Sequence, residues 1–184
     1  GKYEPKNLEY KGKIPNRVPI EDRPAIVDDR DRLGDYEIDL IVGVKNRGAI
    51  LSIVDRSSRQ CWLQKLTGKT AIEVEEAIVA VLDPYKGYIH TITTDNGNEF
   101  INHERIAKKL ETKYYFAHPY ASYERGSVEN LNGLVRQYIP KGTDFNNVEE
   151  YTVKMIENKL NNRPRKTLGY YTPLEVSICK KKAA

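Results

Sequence analysis

From residue 36 onward, Tyr36, Ile38, Leu40 and Val42 alternate with Glu37, Asp39, Ile41 and Gly43. A period of two puts successive side chains on opposite faces of a strand, so one face is expected to be apolar and the other to carry carboxylates. Two more apolar runs follow at 49–54 and 61–66, the first behind the turn residues Asn46, Arg47 and Gly48. Three strands joined by short turns predict an antiparallel meander. Beyond Thr70 the period lengthens: Val74, Ala77, Ile78 and Val81 recur at helical spacing, with Thr70 as a plausible cap. Residues 88–94 read as a fourth strand ending in Asp95-Asn96-Gly97, 102–110 as a short helix and 113–117 as a fifth strand. Two further helices are predicted over about 127–138 and 148–161, separated by Pro140, Gly142 and Asp144.

Three strands, then strands and helices in alternation, then two helices define an α/β protein with a mixed sheet. Helical crossovers after the third and fourth strands call for parallel pairing there, with antiparallel strands to one side. The expected fold is therefore a ribonuclease H-like mixed five-stranded sheet flanked by helices. Pro5, Pro15, Pro19 and Pro24 lie among many charges in residues 1–33, which read as an extended basic arm or linker. The core is expected over 34–178, and residues 179–184, with Lys180, Lys181 and Lys182, as a basic tail.

Composition narrows the function classes. With 39% apolar and 30% charged residues in 184, the chain is long enough to bury a core and has no apolar run of membrane-spanning length. Cys61 and Cys179 fit no metal-ligand or disulfide pattern, which suits a reducing cytoplasm. Gly1 in place of a methionine reads as an excised fragment or a tag scar. Net charge is +4, but residues 25–130 are net acidic while both flanks are net basic. Such flanks suit a polyanion, whose phosphates the acidic middle repels unless cations neutralise it. An ordinary solvated surface accounts for the same totals.

The acidic residues of interest each have a bland explanation. Asp39 sits mid-strand among apolar neighbours, where a buried carboxylate needs a partner such as a cation, or else lines an exposed face. Asp95 opens an Asp-Asn-Gly sequence, a common turn former. Glu129 stands where a helix macrodipole favours an acid.

Their combination says more. The stretches GDYEIDLI (34–41), TTDNGNEF (93–100), YFAHPYASYERGSVENLNGLVRQYIPKGTD (115–144) and NNRPRKTLGYYTPLEV (161–176) resemble the DDE transposases of bacterial insertion sequences, in particular the insertion-sequence-thirty group of the retroviral integrase superfamily. The resemblance covers roughly residues 34–177 and implies Asp39, Asp95 and Glu129 as catalytic triad. It also implies Arg136 as the basic residue seven positions after the glutamate. Seven residues turn a helix by nearly two full turns, so Arg136 falls on the Glu129 face. Tyr36 replaces a usual tryptophan, and His118 and Glu124 depart from the usual loop. The helix-turn-helix region that the family carries before its core is not found here.

Such a family implies an enzyme of phosphoryl transfer on DNA. Three carboxylates suit two Mg²⁺ or Mn²⁺ ions, with Asp39 bridging both, Asp95 on one and Glu129 on the other. The expected reaction is hydrolysis at the transposon ends, followed by attack of the freed 3′ hydroxyl on target DNA. Arg125, Arg136 and Lys141 are expected to hold phosphates near the scissile bond, with Arg163, Arg165 and Lys166 further out. His90 and His103 are read as structural or surface residues, and His118 as a possible DNA contact. The expected partners are transposon-end and target DNA and further copies of the chain, in the cytoplasm and away from membranes. A nuclease that only hydrolyses, or an inactive domesticated DNA-binding module, would keep the same fold.

Overall fold

A computed structural model describes residues 14–184. Ten main elements follow in order: β1 (Asp35–Val42), β2 (Ala49–Asp55), β3 (Cys61–Leu66), α1 (Ala71–Leu82), β4 (Thr91–Thr94), α2 (His103–Leu110), β5 (Lys113–Phe116), α3 (Gly126–Tyr138), α4 (Glu150–Asn161) and α5 (Pro173–Ala183). The sheet order is β3-β2-β1-β4-β5. Strands β1, β2 and β3 pair antiparallel, with Asp39 opposite Ser52, while β4 is parallel to both β1 and β5. The sheet is thus mixed as the element order called for, but only the crossover after β4 joins strands that pair directly; the crossover after β3 lays β4 against β1, beyond the antiparallel meander. Gly34 makes the entry to β1 possible: its φ is +101°, and a Cβ there would stand 2.2 Å from the Tyr88 carbonyl oxygen.

Both faces of the sheet are covered. On one, Tyr36, Ile38 and Leu40 pack with Leu51, Ile53, Val74, Ile78, Ile106 and Leu110, which joins the sheet to α1 and α2. On the other, Ile41, Ile50, Val54 and Leu63 meet Val128, Leu131 and Val135 of α3 and Val153, Ile156 and Leu160 of α4. The second face of β1 is therefore no solvent-exposed face: Glu37 is fully buried and Asp39 half-buried. Alternation identified the two faces correctly; that helices cover both is a long-range fact the alternation does not carry.

Three expectations need correction. The segment before β1 is not a detached arm, because Ile14 and Val27 are buried in its described part and Phe116 N–H donates to Val18 O at 2.9 Å. Its prolines start short 3₁₀ turns at Ile20–Asp22 and Ala25–Asp29, behind Pro19 and Pro24. Residues 1–13 of the expected arm lie outside the described residues. The fourth strand is shorter than expected, since Tyr88 is exposed and pairing begins at Thr91.

The basic tail, lastly, is the end of a helix that no periodicity announced. Thr172 and Glu175 form a capping box and Pro173 occupies the first turn of α5, which buries only Pro173 and Ser177. Lys180 Nζ donates to the carbonyl oxygen of Asp31 at 2.7 Å, which ties this helix to the segment before β1.

Candidate active site

The strand order places the end of β4 beside the middle of β1, and α3 lies across β1 and β2. Asp39 projects from β1 toward α3 and is held at both oxygens. Oδ1 accepts from Leu40 N–H at 2.8 Å and Oδ2 from Asn132 Nδ2 at 2.9 Å. Asn132 is itself fixed by the Ser52 hydroxyl, which donates to its Oδ1 at 2.7 Å. Asp95 follows the last residue of β4 and accepts from Gly97 N–H at 2.9 Å. It thus makes the local turn its sequence promised while standing at the strand end. Glu129 lies in the first turn of α3.

One cation joins the three. Arg125, immediately before α3, has a side chain only 9% exposed and lies 3.4 Å from Asp39, 4.0 Å from Asp95 and 3.2 Å from Glu129. Its Nη1 is buried and, although near Asp39, has no aligned hydrogen-bond acceptor. Burial pushes the Asp39 carboxyl up to about 6: Arg125 pulls it down, while the charges of Asp95 and Glu129 add to the rise. Concentrating three carboxylates without a cation between them would be costly, and Arg125 supplies one.

The helix that carries Glu129 is anchored from below by Glu37. This buried carboxylate accepts from Val128 N–H at 3.1 Å, inside the first turn of α3, and from Arg56 Nη1 at 2.8 Å. Sequence reasoning placed Glu37 on the acidic face and gave it no role, and passed over Asn132 entirely. Its spacing of three from Glu129 was the available signal, because residues three apart share a helix face.

Among the other predicted phosphate contacts, none forms an ion pair with the three carboxylates among the described residues. Arg136 donates to Val42 O at 3.1 Å and lies over the Phe145 ring at 5.3 Å, so it ties α3 to the end of β1. Lys141, Arg163 and Lys166 are exposed. Arg165 is half-buried and donates to Leu160 O at 3.0 Å, at the end of α4. His103 is buried, with Nε2 2.8 Å from Pro15 O, and His118 lies between Glu21 and Glu124, with Nδ1 2.7 Å from Glu124.

Hard oxygen donors from three elements around one buried cation fit divalent metal of the Mg²⁺ type. Among the described residues no group of three acidic, histidine or cysteine side chains is disposed to hold an ion as it stands; the carboxylates surround the guanidinium instead.

Comparison with solved structures shows a similar fold: the catalytic core domain of BIV integrase matches with a TM-score of 0.64 at 21% identity, over 82% of this chain and 97% of that one. The fold is thus the ribonuclease H-like fold of that class. No model of a known protein family matches the sequence, but individual relatives do. The transposase for insertion sequence element IS4351 of Bacteroides fragilis is 58% identical over 90% of this chain and 51% of its own length. Transposase InsI for insertion sequence element IS30A of Escherichia coli is 37% identical over 89% of this chain and 43% of its own. The chain is thus similar to insertion-sequence transposases, those of the IS30 type included, and it spans about half the length of the curated relatives it matches.

Proposed function

We propose that this chain is the catalytic core of a DNA transposase that cleaves transposon ends and joins them to target DNA, with Asp39, Asp95 and Glu129 as its metal-binding and catalytic residues. The convergence of the three carboxylates from β1, the end of β4 and α3 on one buried cation carries this reading. These residues would hold two Mg²⁺ or Mn²⁺ ions, which would supply charge neutralisation at the attacked phosphate and an activated oxygen nucleophile. The chain's own groups prepare the place. Asn132 and Ser52 orient Asp39, Asp95 is fixed by its turn, and Glu37 holds the N-terminal turn of α3 so that Glu129 faces both.

In the first step the oxygen of water attacks the phosphodiester at the transposon end, and the bond to the 3′ oxygen breaks as that oxygen takes up a proton. In the second, the freed 3′ hydroxyl loses its proton and attacks a target phosphodiester; a new P–O bond forms as the bond to the target's 3′ oxygen breaks, and that oxygen takes up a proton. The exposed Lys141, Arg163 and Lys166 are suited to backbone phosphates away from the reacting bond. Arg136, whose two terminal nitrogens donate to the carbonyl oxygens of Val42 and Pro140, and Arg165, which donates to that of Leu160, are held within the protein. The active form is a homo-oligomer on DNA, working in the cytoplasm; among the described residues no helix is long and apolar enough to cross a membrane.

The test is cleavage of uncut labelled ends, and joining of pre-cut ones to a target duplex, by the full-length protein. Glu129→Gln keeps the size of the side chain and removes the charge that offsets a divalent cation, so cleavage and joining should both fall by a factor of about 10² or more while DNA binding persists. Full joining by that variant in Mg²⁺ would end the three-carboxylate reading. Cleavage without joining by the unaltered protein would identify a nuclease that only hydrolyses.

A further inference from the structure

Arg125 is poised where a divalent cation would be placed. Its guanidinium contacts all three carboxylates of the cluster, at 3.4, 4.0 and 3.2 Å, and it is the only cationic side chain paired with them among the described residues. Its position is built and not incidental: the preceding 3₁₀ turn, Ser122–Arg125, leads directly into α3, and the side chain is only 9% exposed. Even so, only Nη2 is hydrogen-bonded, donating to Glu129 Oε1 at 3.2 Å, while the buried Nη1 has no aligned acceptor, so the carboxylates do not lock the guanidinium as a two-point fork.

We propose that Arg125 is a resident counter-cation that competes with divalent metal for Asp39, Asp95 and Glu129, so that metal enters only as the guanidinium leaves. The inference rests on the metal reading of the triad given above. A guanidinium left in place would occupy oxygens that an entering ion needs as ligands and would repel it, since like charges a few ångströms apart in a half-buried site are poorly screened. Displacement requires a new anionic partner for Arg125, and the phosphate of a bound DNA strand is the one the reaction provides. Metal binding and DNA binding are then linked through one side chain, and the linkage is reciprocal. The protein without DNA holds its carboxylates neutralised and binds metal weakly, which restrains metal-dependent hydrolysis away from the substrate.

Mn²⁺ binding to the DNA-free, full-length protein, followed by calorimetry, tests this without any assay of activity. Arg125→Met keeps the bulk and removes the charge, and should bind Mn²⁺ about tenfold more tightly than the unaltered protein. Arg125→Lys keeps the charge and should stay near the unaltered affinity. A residue that merely held the loop in shape would give the opposite order, with the Met variant equal or weaker. Should Arg125→Met not fold, the unaltered protein still decides: the Arg125 side-chain Nε–H resonance, identified by its absence in Arg125→Lys, should move on addition of Mg²⁺. Equal Mn²⁺ affinity in all three proteins, or an Arg125 resonance indifferent to Mg²⁺ that binds, overturns the proposal alone. No Mn²⁺ binding by any of them overturns the metal reading with it.

Discussion

Asp39 shows how one residue's surroundings set its chemistry. Its carboxyl rises to about 6, against the ordinary range near 3.8, chiefly because burial penalises the charged form. For an acid whose folded value is raised, the folded state binds more protons than the unfolded one between those two pH values. Stability therefore falls as pH climbs from about 4 through 6, and the penalty is complete above 6, on the order of 2–3 kcal/mol. Asp39→Asn removes the charge and still offers an oxygen to Asn132. In chelator at pH 8 the variant should unfold at a higher temperature than the unaltered protein, whereas near pH 4 the two should agree. In Mn²⁺ the order should reverse at pH 8, because the unaltered protein alone gains from the ion. Thermal scans at the two pH values, with and without Mn²⁺, read all of this; equal midpoints in chelator at both pH values would show that burial does not strain this carboxylate.

At the scale of elements, the decisive relation is between β1 and α3. Glu37 is fully buried, paired with Arg56, and accepts from the first turn of α3, so it converts a strand position into the placement of a helix. Glu37→Ala leaves the Arg56 guanidinium buried without its main partner and frees the Val128 amide. A loss of about 3–5 kcal/mol is expected for breaking a buried pair in this way, read from denaturant unfolding. A change below about 1 kcal/mol would mean that α3 is held by its apolar contacts alone. Other elements show why a pattern can fail: α5 has no apolar stripe and buries little, so only its capping residues Thr172, Pro173 and Glu175 mark it. The segment before β1 misled in the other direction. Its prolines and charges read as an arm, yet Ile14 joins the core beneath α1 and α2 and Val27 is fully buried.

Across the whole molecule, exposed Arg163 and Lys166 follow α4, which packs on the sheet chiefly at β3, the edge away from β4 and β5. Side chains so placed would position a duplex and not enter the chemistry. Reversing both charges, by Arg163→Glu with Lys166→Glu, should weaken DNA binding and reduce the slope of log affinity against log salt by about 0.9 for each phosphate left without its cation. Mn²⁺ affinity should not change. An unaltered slope would show that this edge does not meet DNA.

The sequence by itself determined the five strands and the helices that cross between them, because periods of two and of 3.6 are local consequences of backbone geometry. It also marked Asp39, Asp95 and Glu129, through words that surround each of them. Tertiary structure alone decided how those three meet. That Arg125 stands among them, that Asn132 steers Asp39 and that Glu37 anchors α3 follow from the order of strands and the seating of one helix. These interactions join residues up to 93 positions apart. Charges and hydrogen bonds act across space at a few ångströms, and a spacing along the chain carries that information only where a single element spans it.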